Sequence, residues 1–250
     1  MNIRTFSSQN IAEETAMALN ELFAKQNGKE FLFLSSGGSS LGLLQYINPD
    51  NFGPHSTFCV LDERYSEDSS LNNFAQIEKS DFYKQINERG AHFIDTKIHK
   101  DKSGNNESME SLARRFEKEL KDWAKRTNGI IIATVGIGPD AHTSGVMPFP
   151  ENKELFDKLF NNESHWVVGY DAKEKNPLRF RITTTIPFFR KITYPIIFIT
   201  GQDKKLALQK LLVEELHTEK LPDNNVDVYK TPCRIWREIP ETQIFTDIKL

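Results

Sequence analysis

A chain of 250 residues, 38% of them hydrophobic, carries enough apolar material for one large α/β domain or two small ones. Its formal net charge of -3 argues against a general nucleic-acid or membrane-surface role, which a clustered basic excess would mark. No apolar run approaches the length of a bilayer crossing, the start Met1 to Phe6 runs into polar residues, and Cys59 and Cys233 lie far apart, so the expectation is a cytoplasmic protein with neither a cysteine metal pair nor a redox pair.

In chain order, Ile11, Ala12, Ala16, Leu19, Leu22 and Phe23 recur at helical spacing after Ser8, and Asn27-Gly28 supplies a stop. Phe31 to Leu34 predicts a buried strand, Ser35 to Ser40 a glycine turn, and Leu41, Leu43 and Leu44 a short helical stretch. Thr57 to Leu61 predicts the next strand, with Cys59 as a small buried hydrophobe, and it ends at Asp62-Glu63-Arg64-Tyr65. Lys100 to Asn106 reads as a polar surface loop. Glu107 to Arg126 places Met109, Leu112, Phe116, Leu120 and Trp123 on one face, which predicts an amphipathic helix whose charges form a solvated side.

The charge-free run Ile130 to Val135 suits a strand buried on both faces. It stops at Gly136-Ile137-Gly138-Pro139 and delivers Asp140 and His142, near which a helix is expected to begin. A helix over Leu155 to Phe160, strands at Trp166 to Val168 and Arg181 to Thr185, a strand from Tyr194 to Thr200 closed by Gly201, and a helix from Lys204 to Val213 complete the pattern. Such alternation predicts an α/β fold with right-handed crossovers and an open, mostly parallel sheet covered by helices on both faces. There is no internal repeat or linker, and residues 1–250 read as a single domain.

Strands of a parallel sheet end at one edge, where ligands bind, so Ser35 to Ser40, Asp62 to Tyr65, Gly136 to His142 and Gly201 to Lys204 are expected on one rim. Gly37-Gly38 allows backbone approach to an anion, and Ser39 and Ser40 offer hydroxyls and amides at a helix start. The loop lacks the lysine of a triphosphate P-loop, which favours a phosphorylated small molecule, with Lys204 placed to supply a cation. The competing readings are a flexible turn and an exposed helix lysine. Gly136 and Gly138 have no third glycine and are followed by Pro139, against nicotinamide binding. Asp140 and His142 read either as a helix cap beside a first-turn residue, or as a carboxylate that fixes the tautomer of a basic imidazole. His55, His92, His99, His165 and His217 fall outside these motifs and read as surface or packing residues.

The ordered set Ser36-Gly37-Gly38-Ser39, Asp62-Glu63-Arg64, Asn73-Phe74, Gly136 to Thr143, Arg181-Ile182-Thr183 and Gly201 with Lys204 resembles the glucosamine-6-phosphate isomerase/6-phosphogluconolactonase family, on its lactonase branch, over most of the chain. The resemblance implies a Rossmann-like open sheet without nucleotide cofactor or metal, and a sugar phosphate, rather than nucleic acid or membrane, as partner. It implies that His142 is the general base and that Asp140 orients or polarises the site. Ser36, Gly37, Gly38, Ser39, Ser40 and Lys204 would hold phosphate; Asp62, Arg64 and Arg181 fall on motif positions that suit phosphate or substrate hydroxyls. Asn73 would order the loop after Arg64. The chain departs from the pattern at Ala141, where the family usually has glycine, at Ser40-Leu41, where it has threonine and proline, and at Phe149, where a glycine follows the proline.

The activity implied is hydrolysis of 6-phosphoglucono-1,5-lactone. The sister activity, isomerisation with deamination of an amino-sugar phosphate, places a further carboxylate just after the histidine loop, and Thr143 to Pro148 holds none. A catalytically silent sugar-phosphate sensor would keep the phosphate loop and lose the base. The motifs do not distinguish a monomer from a small homo-oligomer.

Overall fold

A computed structural model of the chain describes residues 2–26, 28–212 and 227–250. Asn27, Val213 and His217, expected from sequence as a helix stop, a helix end and a surface position, lie outside the described residues. The first half runs β1 (Asn2–Thr5), α1 (Ile11–Gln26), β2 (Phe31–Ser35), β3 (Ser56–Val60), β4 (Asp62–Arg64), α2 (Asn73–Glu78), α3 (Asp81–Glu88), β5 (His92–Phe93) and α4 (Met109–Arg126). The second half runs β6 (Ile130–Val135), α5 (Lys153–Phe160), β7 (Val167–Asp171), β8 (Phe180–Thr184), α6 (Ile186–Phe189), β9 (Tyr194–Ile199), α7 (Lys205–Leu212) and β10 (Gln243–Thr246).

Seven strands form one parallel sheet in the order β1-β10-β9-β6-β2-β3-β5. Its central strands are mostly apolar and buried along nearly their whole length because helices cover both faces. Alternate side chains go to opposite sides. Leu32, Leu34, Ile131, Ala133 and Val135 pack with Leu112, Phe116 and Leu120 of α4, whereas Phe31, Phe33 and Ile132 pack with Leu19 and Phe23 of α1. Burying a side chain such as Phe23, 1% exposed, contributes about 1.5–3 kcal/mol, so these two layers fix the sheet's position. From β2 the chain works outward to β3 and β5, then returns to β6 beside β2 and works outward the other way. The order therefore reverses between β2 and β6, and open α/β sheets bind ligands at such a point.

Three expectations are corrected. Asp62 to Arg64 is not a rim loop, and Arg181 to Thr184 is not a strand of the parallel sheet: β4, β8 and β7 form a separate three-stranded antiparallel sheet. Strand alternation alone does not distinguish this pairing from a crossover. Leu41 to Leu44 lies in a 3-10 helix over Gly38–Tyr46, which bears out the helical stretch expected there. No helix begins near His142, because residues 137–146 fold into a tight turn closed by bridges of Thr143 to Ile137 and Val146, and the next helix starts at Lys153. Among the described residues no helix is long and apolar enough to cross a membrane.

Candidate active site

The reversal between β2 and β6 is stitched by one hydroxyl. Ser36 Oγ donates to the carbonyl of Thr134 at 2.8 Å and accepts the N–H of Gly136 at 3.1 Å, while Ser36 N–H donates to Thr134 Oγ1 at 3.0 Å. The loops after the two central strands are thereby held side by side, and Ser36 has its hydroxyl engaged within the protein. Above this seam lies an open cleft of about 310 Å³. Ser36, Gly37, Gly38 and Ser39 line one wall, and Gly136 to Pro139 with His142 and Ser144 line another. Asp62, Arg64 and Arg181 come from the small sheet, Lys204 from the turn after β9, and Asn176 and Leu178 from the β7–β8 connection.

Three anticipated residues stand behind the cleft instead of on it. Asp140 reaches it through His142. Ser40 is buried with its Oγ unpartnered. Asn73 lies beneath Gly37, where an added Cβ would stand 2.2 Å from Asn73 Oδ1, so only glycine admits this approach. Asn73 Nδ2 donates to the carbonyl of Asp62 at 2.9 Å.

Asp140 Oδ1 accepts the backbone N–H of His142 at 3.1 Å and lies 2.5 Å from its Nδ1. Partial burial pushes the Asp140 carboxyl up, but the hydrogen bonds and charge of His142 outweigh it and hold the group below the ordinary aspartate range. An ionised carboxylate only accepts, so the contact places the proton on Nδ1 and leaves the Nε2 lone pair available. The ring lies flat against Gly138, where a Cβ would come within 2.0 Å of His142 Cε1. Ala141 and Ser144 have φ of 71° and 52°, a backbone region costly for any side chain. The segment around residue 235 maintains this turn: Cys233 N–H donates to the carbonyl of Ala141 at 3.1 Å, and Trp236 Nε1 donates to Thr143 Oγ1 at 2.8 Å.

Arg64 and Arg181 sit directly opposite one another across β4 and β8. Like charges so placed repel, which is tolerated where an opposite charge is to be received. Asp62 answers Arg181 at 2.5 Å, both side chains almost fully buried. Arg64 bonds only the carbonyl of Leu71 through its guanidinium, at 3.2 Å, and Lys204 forms no ion pair with a described residue. The buried Nε atoms of Arg64 and Arg181 have no hydrogen-bond partner among the described residues. Three cations against one carboxylate make this cleft positive on a chain whose formal charge is -3. Among the described residues no group of three or more His, Cys, Asp or Glu could hold a metal ion.

Sequence reasoning did not anticipate Ser144, Asn176 or Leu178 as lining residues, nor the carboxylate of Glu63 behind the wall. Only the β4–β8–β7 pairing would have brought the 176–178 connection over the cleft. The positive φ at Ser144 leaves no mark in residue type.

Residues 5–235 match the family of glucosamine-6-phosphate isomerases and 6-phosphogluconolactonase, and the chain belongs to this family. A "Probable 6-phosphogluconolactonase" of Dictyostelium discoideum is 23% identical over 173 residues, a stretch that spans 68% of this chain and 66% of that protein. The fold matches a 6-phosphogluconolactonase of Shewanella baltica with a TM-score of 0.71 at 18% identity, over 98% of this chain and 96% of the other. It also matches a monomeric glucosamine-6-phosphate deaminase with a TM-score of 0.69 at 16% identity, over 98% and 97% of the two chains. Both activities thus occur on this fold, and the side chains of the cleft must separate them.

Proposed function

We propose that this protein hydrolyses 6-phosphoglucono-1,5-lactone to 6-phosphogluconate. The observation that carries the reading is an acid–imidazole pair opening onto a cleft lined by Arg64, Arg181 and Lys204. His142 Nε2 takes a proton from water as the water oxygen bonds the lactone carbonyl carbon. The cationic wall stabilises the negative charge that develops on the carbonyl oxygen. As the tetrahedral species collapses, the bond from that carbon to the ring oxygen breaks, and the imidazolium returns its proton to the leaving oxygen. Asp140 holds the ring in the required tautomer and offsets its transient charge. Gly37, Gly38, Ser39 and Lys204 receive the phosphate, with Arg64 and Arg181 on phosphate or substrate hydroxyls. Ser40 and Asn73 shape the loop from behind the cleft, and Ser36 lines it with its hydroxyl engaged within the protein.

Against deamination stands Asp62. The sister reaction moves protons between carbons and needs a free carboxylate, whereas Asp62 is committed to Arg181 in a buried pair. Both sheets contribute to one cleft, which supports reading the described residues as one functional unit with a small-molecule partner. The direct test follows 6-phosphogluconolactone loss against its spontaneous hydrolysis, with glucosamine-6-phosphate assayed in parallel. Loss of lactone at the uncatalysed rate, or turnover of the amino sugar alone, would overturn the reading.

A further inference from the structure

Glu63 lies between Asp62 and Arg64, points away from the cleft and is completely buried. Among the described residues no side-chain cation bonds it. Four donors converge on its two oxygens instead. Oε1 accepts the N–H of Arg64 at 2.7 Å and of Asn73 at 2.6 Å; Oε2 accepts the N–H of Phe74 and the hydroxyl of Thr96, each at 2.9 Å. The carboxylate thus ties β4, which carries Arg64, to the first residues of α2, which carry Asn73.

Each tie leads to a different wall of the cleft. Arg64 is held at its backbone by Glu63 and at its guanidinium by the carbonyl of Leu71. Asn73 is held at its backbone by Glu63, bonds the Asp62 carbonyl, and abuts Gly37 closely enough to exclude a Cβ. The Glu63 carboxyl, together with the bond of Asn73 Nδ2 to the Asp62 carbonyl, therefore fixes the distance between the arginine wall and the serine–glycine loop. We propose that Glu63 is a positioning residue that sets the spacing of Arg64 and the Gly37 loop, and hence the fit of a phosphorylated sugar between them. The inference rests on the reading of this cleft as a sugar-phosphate site.

Reach, more than charge, carries the effect. The bonds that join strand to helix are those of Oε1 to Asn73 and Oε2 to Phe74; a neutral carboxamide oxygen keeps the first, together with the bond to Arg64, while its nitrogen forfeits the second. Thr96 is the one donor of the four that can reverse its role, because a hydroxyl both donates and accepts. A chain shorter by one methylene cannot span Arg64 and Asn73 together.

The test compares Glu63→Asp with Glu63→Gln in steady-state hydrolysis of 6-phosphogluconolactone. Glu63→Asp is expected to raise KM about 10-fold or more with kcat within about 3-fold, the signature of lost uniform binding, and Glu63→Gln, which keeps the oxygen that reaches Arg64 and Asn73, to recover part of that loss. In an Arg64→Ala background Glu63→Asp should add less than it does in wild type, because one of the two walls whose spacing it sets is gone. A Glu63→Asp enzyme with unchanged KM, equal losses in the two variants, or effects that multiply fully with Arg64→Ala would each overturn the inference. Should Glu63→Asp fail to fold, Asn73→Ala, which keeps the backbone N–H that Glu63 accepts but removes the side chain that meets Gly37, should raise KM in the same way, and an unchanged KM would overturn the inference. Calorimetric binding of 6-phosphogluconate repeats the comparison without turnover. A wild-type chain that binds this acid without hydrolysing the lactone sinks the lactonase reading while the variants still decide the role of Glu63; one that binds no phosphorylated sugar overturns both.

Discussion

Asp140 makes two contacts with His142 through one carboxylate oxygen, at 3.1 Å to the backbone N–H and 2.5 Å to the ring Nδ1. The first fixes where the turn places the imidazole, and the second fixes which nitrogen keeps the proton. His142→Ala is therefore expected to lower kcat by about 10²- to 10⁴-fold, the contribution of a general base, while 6-phosphogluconate still binds. Asp140→Asn presents an amide that can donate to Nδ1 and favour the wrong tautomer, with an expected loss of up to about 10⁴-fold. Near-normal turnover by His142→Ala would remove this ring from the mechanism.

The buried pair of Asp62 and Arg181 predicts a different signature. Both side chains are about 5% exposed and lie 2.5 Å apart, so removing either leaves an uncompensated charge out of water. Asp62→Ala should destabilise the protein by about 3–5 kcal/mol in urea titration. Arg64→Ala, which breaks no ion pair, should cost far less stability and act mainly on KM. Comparable losses of stability in both would show that the Asp62–Arg181 contact holds the small sheet no more firmly than Arg64 does.

Much of this site was legible because its chemistry sits at strand ends that composition marks. Ile130 to Val135 announces a strand buried on both faces, and the turn after it can only open on the sheet's carboxyl edge. The small antiparallel sheet was not legible. Its first strand is the charged triplet Asp62-Glu63-Arg64, which carries no apolar strand signal, and the direction in which strands pair is a tertiary property. The opposition of Arg64 and Arg181 thus became visible only with the register in hand, as did the conversion of Asp62 from a rim residue into a buried partner. Glu63 was hidden for another reason: in sequence it is one of three charged residues in a row, and only folding shows that it faces donors rather than the cleft.

The same carboxyl gives the protein a pH dependence. Burial pushes Glu63 up to about 7 from an ordinary 4.5, against the lowering effect of its backbone and Thr96 hydrogen bonds. Between these limits the folded state holds a proton that the unfolded chain has released, so stability should fall as pH rises from about 4.5 to about 7 and level off above. The full span corresponds to about 3 kcal/mol. Unfolding free energies at pH 5 and 8 in wild type and Glu63→Gln measure it directly. An unchanged difference between the two pH values in the variant would assign the dependence to other groups.

Ala141 stands in the left-handed region, at φ 71°, where the family pattern has glycine. Relief of that conformation favours Ala141→Gly by about 1–2 kcal/mol. Loss of a fully buried methyl costs about 0.8 kcal/mol, and the freer unfolded chain about another 0.4–1 kcal/mol. These effects nearly cancel, so the substitution should change stability by less than about 1 kcal/mol. A loss above about 2 kcal/mol in urea titration would mean that the clamp from Cys233 and Trp236 already relieves the strain.

Lys204 provides the sharpest separation of phosphate binding from chemistry. It lies on the cleft after the glycine turn that follows β9 and forms no ion pair with a described residue. A cation that meets a phosphate remote from the reacting carbonyl acts equally on bound substrate and transition state, so its removal weakens binding without slowing the bound complex. Lys204→Ala is expected to raise KM for the phosphorylated lactone by about 10-fold or more, with kcat nearly unchanged. Hydrolysis of the unphosphorylated lactone, slower in both proteins, should be indifferent to the change. Because the contact is electrostatic and partly open to solvent, the advantage of wild type over Lys204→Ala should also shrink as ionic strength rises. Equal losses on the two lactones would place Lys204 near the reacting carbonyl, and an unchanged KM would leave the phosphate to Arg64, Arg181 and the backbone of Gly37 to Ser39.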